Sequence, residues 1–208
     1  MNIRWNGEMA RLRYANRRLE RACPDSACML DAFAVVEYGL RQSLAQRGEP
    51  PACGVGCDHC CRQPIPATPL ELFVLEAFAR HVLSPEQRRA QQAAFAAFHG
   101  GREALAAPCP FLSAGRCVVY PVRPIACRQF VAFGRACLPG EDPTTTRSQD
   151  MLRPQYDFMH AALRRTLPWY RERCSLPERM TAAEAQAFFR RVTTLVQAVP
   201  WGDWFREC

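Results

Sequence analysis

The sequence predicts a mainly α fold in which helices flank an irregular, loop-rich centre, and three observations carry this. Helix-opening signals followed by apolar stripes at helical spacing occur before, within and after the centre. Strand-like runs at regular spacing are missing, which argues against a doubly wound sheet or a barrel. Between residues 51 and 140, cysteine, proline and glycine interrupt the chain too often for long regular elements. The expected organisation is an N-terminal helical segment over 1–50, the central segment over 51–140 and a C-terminal helical segment over 141–208.

Residues 9–22 place Leu12, Ala15 and Leu19 at helical spacing among Arg11, Arg13, Arg17, Arg18 and Arg21, as in an amphipathic helix that Cys23-Pro24 ends. Asp25 or Ser26 caps a second helix to about Gln46, with Met29, Phe33, Val36, Leu40 and Leu44 as its apolar stripe. Gly48, Pro50 and Pro51 stop it. Thr68-Pro69-Leu70-Glu71 is a capping box with proline at the first helical position, opening a helix to about Val82. Ser84-Pro85-Glu86-Gln87 repeats the device for a helix reaching Phe98 or His99, where Gly100-Gly101 breaks it. Pro108 to Pro143 reads as loops with little regular structure. A helix over about 154–167 and another opened by Thr181-Ala182-Ala183-Glu184 follow. The aromatic tail Trp201, Trp204 and Phe205 is expected to dock on the body of the protein.

A chain of 208 residues should bury roughly 70% of its unfolded surface, so a metal is not obligatory for folding. Half the residues are apolar and under a quarter are charged, which excludes a disordered chain. No apolar run approaches a membrane span, and residues 1–10 lack the apolar core of a secretory signal, so the expected compartment is the cytoplasm. Disulfides are disfavoured there, which turns twelve clustered cysteines into candidate metal ligands or reactive thiols. The net charge of +7 is carried by arginine alone, as GC-rich coding produces, and by itself names no partner.

Two segments concentrate the thiols. The first is Cys53-Gly-Val-Gly-Cys57-Asp-His-Cys60-Cys61-Arg62, four soft donors in nine residues, with Gly54 and Gly56 permitting tight turns. The second holds Cys109-Pro-Phe-Leu, then Cys117-Val-Val-Tyr-Pro-Val-Arg-Pro-Ile-Ala-Cys127-Arg, then Cys137. Its spacing is too wide for a single metal knuckle, so the fold must bring the segments together, with the two capped helices between them forming the returning hairpin. Tetrahedral zinc and iron–sulfur clusters both accept such thiolates. Four thiolates around a divalent ion leave net negative charge, which Arg62, Arg123 and Arg128 are placed to offset. Cys23, Cys28, Cys174 and Cys208 lie outside both segments and read as structural or free thiols, and His59 as solvent-facing. His81, His99 and His160 fall in predicted helices.

The doubled cysteine followed by arginine, Cys109-Pro-Phe-Leu, and Tyr120-Pro-Val-Arg-Pro-Ile-Ala-Cys127-Arg with a last thiol at Cys137 resemble the YkgJ-like cysteine-cluster family. The shared region of that family is the CxxCxxCC zinc- or iron-chelating domain. The resemblance covers about residues 53–137 and implies eight metal-binding cysteines: Cys53, Cys57, Cys60, Cys61, Cys109, Cys117, Cys127 and Cys137. One departure is the three residues, rather than two, between Cys53 and Cys57.

Cys53, Cys57 and Cys60 also have the spacing of the cluster motif in radical S-adenosylmethionine enzymes, but the strand-helix units of that barrel are missing. No phosphate loop, nucleophile elbow or paired carboxylates stand in a credible context, so any catalysis would come from a metal centre. The expected fold is thus helices around a loop-rich, cysteine-ligated metal-binding core. The preferred cofactor is an iron–sulfur cluster of the four-iron type, in electron transfer or redox support of a partner protein. The alternative is zinc in a structural or interaction module, with nucleic acid a subordinate partner and no membrane.

Overall fold

The computed structural model describes residues 12–54, 56–96, 98–101, 103–153 and 156–204. Nine helices dominate the described residues: α1 Arg17–Ala22, α2 Ala27–Arg47, α3 Pro69–His81, α4 Pro85–Ala96, α5 Ile125–Gln129, α6 Pro143–Thr146, α7 Tyr156–Cys174, α8 Ala182–Val192 and α9 Trp201–Trp204. The strands are two-residue pieces: β1 Pro66–Ala67, β2 Leu112–Ser113, β3 Arg116–Cys117 and β4 Thr194–Leu195. β1 pairs antiparallel with β4, and β2 with β3. The fold is mainly α.

Local chemistry explains most helix starts. Thr68 and Thr181 each accept the N3 amide while Glu71 and Glu184 reach back to the capping amides, completing the two capping boxes. Ser84 and Gln87 exchange equivalent bonds at the start of α4. Gly48, in the left-handed region, ends α2 by donating its amide to Leu44 O. Helix α1 begins at Arg17, later than the apolar spacing suggests, because the Asn16 side chain accepts from the Leu19 amide and Glu20 accepts from the Asn16 amide. Residues 12–15 are not helical, and the expected helical residues 9–11 lie outside the described ones. His99 follows α4 rather than lying in it.

Helix α7 runs through Pro168 to Cys174, beyond the expected end at Leu167. Proline removes one intrahelical donor, so the continuation depends on tertiary anchoring. Tyr170, buried to 1% exposure, accepts the Leu70 amide at 3.1 Å and meets the rings of Phe188 and Phe189 edge-on. A tyrosine hydroxyl thereby satisfies one of the amides left open at the start of α3.

The main core draws on the whole chain, from Leu19 through Phe33, Leu75 and Phe111 to Trp201. Its most extensive helix pair is α2 against α7. Gly39 makes that approach possible: a Cβ there would lie 2.5 Å from two ring carbons of Phe158. Trp201 is fully buried, stacks on Phe95, meets Phe111 edge-on and donates its indole N–H to Val196 O at 2.8 Å. The tail therefore docks as expected at Trp201, whereas Phe205 lies outside the described residues. Its approach also staples residues 63–67: the Val196 amide bonds Ile65 O, and Gln197 bonds both the Ile65 amide and Gln63 O.

The central segment holds more regular structure than its prolines suggest. Ala114 and Gly115, both at positive φ, form the two-residue turn that joins β2 to β3. No described helix is long and apolar enough to cross a membrane. Replacing Gly39 with alanine should lower unfolding free energy by about 1–3 kcal/mol, through overpacking against Phe158. Urea denaturation checks this, and an unchanged midpoint would mean that α2 and α7 can separate freely.

Candidate metal centre

The two cysteine segments meet directly. The Cys109 amide donates to Cys61 O at 2.6 Å, closing the return that α3 and α4 make. The β2–β3 hairpin then sets Cys117 opposite Leu112, three residues beyond Cys109. Cys127 lies on α5, whose Ile125 amide donates to the buried carboxylate of Glu71 at 2.8 Å, so the capping residue of α3 also holds the start of a cysteine-bearing helix. Cys60 and Cys61 sit on a short 3-10 turn, His59–Arg62. Cys53 is drawn toward the other segment by the Ala52 amide on Ala132 O and by the Ala132 amide on Cys53 Sγ at 3.4 Å.

All eight cysteines line one cavity of about 620 Å3, together with Leu40 and Leu44 of α2, Phe111, Arg123 and Arg128. A larger and more open groove, about 1030 Å3, runs between α7 and α8, but it carries His160 and scattered arginines and no thiols. The described cysteines are free thiols. Among the described residues, no three His, Cys, Asp or Glu side chains are grouped closely enough to hold an ion as they stand. The donor set nevertheless suits zinc or iron, because thiolates are the ligands both accept. Metal binding there would release protons from the thiols.

Burial governs the thiols. Desolvation raises Cys53, Cys117, Cys127 and Cys137, and pushes Cys109 up to about 12. Cys60 is the exception: a hydrogen bond from the Cys61 thiol lowers it, with the Arg123 cation adding to the effect, while Cys61 is raised in turn. Cys60 is thus favoured to ionise and take a metal bond.

The three candidate arginines are placed differently. Arg123 lines the cavity, lies over the Tyr120 ring, helps to lower Cys60 and partly offsets the burial that raises Cys117. Arg128, 1% exposed, also lines it, but its nitrogens are spent on Glu37, Arg123 O and Pro121 O, with its guanidinium over Phe33. It clamps the 121–123 loop. Arg62 is exposed, pairs with Asp58 at 2.8 Å and stands away from the cavity lining. His59, expected to face solvent, is half-buried in the cavity wall.

The sequence did not single out Arg147. This buried guanidinium donates to Cys137 Sγ at 3.3 Å, to Phe133 O and to Glu141. Its only linear signal is its place after the capped turn of α6, which by itself points to no thiol. Glu141 gathers the whole 135–147 loop, accepting from Arg135, Leu138, Thr146 and Arg147. The Arg135 bond first, then the Leu138 amide, lower its carboxyl to about 2.

Because that value lies below the ordinary 4.5, the hold on the loop is complete above pH 4.5 and fades as pH falls toward about 2. Hydrogen-exchange protection of residues 135–147 should follow this course in the wild type, and should already be low at neutral pH in Glu141→Gln. Equal protection in the two proteins at neutral pH would contradict the role given to Glu141.

The family model described as "CxxCxxCC: Putative zinc- or iron-chelating domain" matches residues 52–157, just over half of the chain. No curated protein and no solved structure is significantly similar to it. With its cysteine segments joined around one cavity and the match spanning both, the chain belongs to the CxxCxxCC family of zinc- or iron-chelating domains.

Proposed function

We propose that this protein holds an iron–sulfur cluster, of the four-iron type, in thiolates of the cysteine cavity, and serves electron transfer or redox support of a partner protein in the cytoplasm. The observation that carries the reading is the convergence of eight thiols from two remote segments on one cavity of about 620 Å3. A single zinc ion needs four thiolates at about 2.3 Å and little space. Eight soft donors around this volume provide for a larger inorganic core, or for more than one centre.

Once bound, such a cluster supplies a one-electron couple tuned by hydrogen bonds to sulfur and by solvent access. The chain contributes the surroundings. Arg123 offsets negative charge at Cys60 and Cys117, and Arg128 keeps the 121–123 loop in place. Arg62, exposed at the end of the turn that carries Cys60 and Cys61 and paired with Asp58, supports that turn from the solvent side. Tyr120 and Leu138, exposed to 59% and 58%, follow metal-segment residues and supply apolar contacts for a docking protein.

Metal and acid-labile sulfide analysis on protein purified without oxygen tests the reading. Iron, sulfide and a visible band that bleaches with dithionite are the expected result. Colourless protein with stoichiometric zinc would replace the redox role with a structural one. Chelation should also sensitise residues 51–140 to protease while the flanking helices persist. Unchanged resistance after complete metal removal would show that the metal does not organise the centre.

A further inference from the structure

The eight thiols share a cavity but not a framework. Cys61 and Cys109 belong to the main core, and Cys60, Cys117 and Cys127 pack against it. Cys137 belongs to a separate small cluster with Ala132 and Met151, against which Cys53 packs. Backbone connections divide along the same line. The inner thiols are tied together by the Cys109–Cys61 bond, the β2–β3 hairpin and the Glu71 bond to Ile125. The outer ones are tied to residues 131–152, where Ala132 bridges to Met151, the Ala132 amide reaches Cys53 Sγ and Arg147 reaches Cys137 Sγ.

The electrostatic neighbourhoods agree. Among Cys60, Cys109, Cys117 and Cys127, each thiol lies within electrostatic reach of the other three. Cys53, Cys57 and Cys137 form an equivalent set of three. Cys61 also lies within reach of Cys60, Cys109 and Cys117, but its thiol is committed to a hydrogen bond with Cys60, which leaves Cys127 as the fourth inner ligand; Cys53 also feels Cys60 across the boundary.

We infer that the cavity is divided between two centres: a closed inner one with four thiolates from Cys60, Cys109, Cys117 and Cys127, and an outer one with three, from Cys53, Cys57 and Cys137, whose remaining position takes an exchangeable donor from outside the chain. This rests on the metal-binding reading above and goes beyond it by giving the centres different tasks. Four protein ligands close a site, whereas three leave a position for water or a small soft ligand. For four-iron clusters the same count leaves one iron without a protein thiolate. Arg147 serves the outer centre alone, placing a buried cation against its sulfur.

The test is iodoacetamide footprinting of the purified, metal-loaded protein under graded chelator, read residue by residue by mass spectrometry beside metal release. Two phases are expected. Cys53, Cys57 and Cys137 become alkylated together as part of the metal leaves, and Cys60, Cys109, Cys117 and Cys127 follow with the rest. Arg147→Met should advance the early phase, with a roughly 10- to 100-fold loss of outer-centre affinity, and leave the late phase in place. A single phase for all seven thiols, or phases whose members cross the two sets, would overturn the division while leaving metal binding intact. Protein that holds no metal as purified and alkylates without metal release would instead overturn the underlying reading.

Discussion

The hydrogen bond from the Cys109 amide to Cys61 O, at 2.6 Å, joins the two halves of the cysteine region, and the cavity depends on that join. Neither segment has enough local structure to hold its thiols in place. The first offers a 3-10 turn, the second a two-residue hairpin and a short helix. What positions them is the hairpin of α3 and α4, whose length brings Cys109 back to the turn that carries Cys61. Fixing loops this way costs backbone entropy, on the order of 1–2 kcal/mol per residue, which the packed helices must offset.

Buried charge does much of the remaining work. Loops that lack ladder partners leave carbonyls to be satisfied, and here arginine forks do so: Arg128 for Arg123 O and Pro121 O, Arg147 for Phe133 O. Each fork also meets a carboxylate, Glu37 or Glu141, as a buried cation requires. Glu71 works in the opposite sense, a buried acceptor for amides from two different elements. The arginine-rich composition thus appears inside the fold as well as on its surface.

A cavity whose thiols are mostly held protonated by burial couples metal loading to proton release. Cys60, lowered by its neighbours, gives such loading a starting point. The family match sets the chemistry at zinc or iron chelation, and the thiols around the cavity pack against two separate apolar clusters.

Features that depend on neighbours a few residues apart are legible in the chain alone. Both capping boxes and the Gly48 stop were legible because their donors and acceptors are local. So was the need to join the cysteine segments, since their spacings could not close a site separately. Long-range packing settles most of the rest. Helix α7 passes Pro168 because Tyr170 is anchored on Leu70 from a distant helix, whereas the late start of α1 is a local Asn16 cap that the longer apolar pattern masks. Arg147 reaches Cys137 for reasons no local motif contains, whereas Arg62 turns to Asp58, four residues before it, in a local pairing. Side-chain direction in an irregular loop is set by whatever packs around it, and here those neighbours come from across the chain.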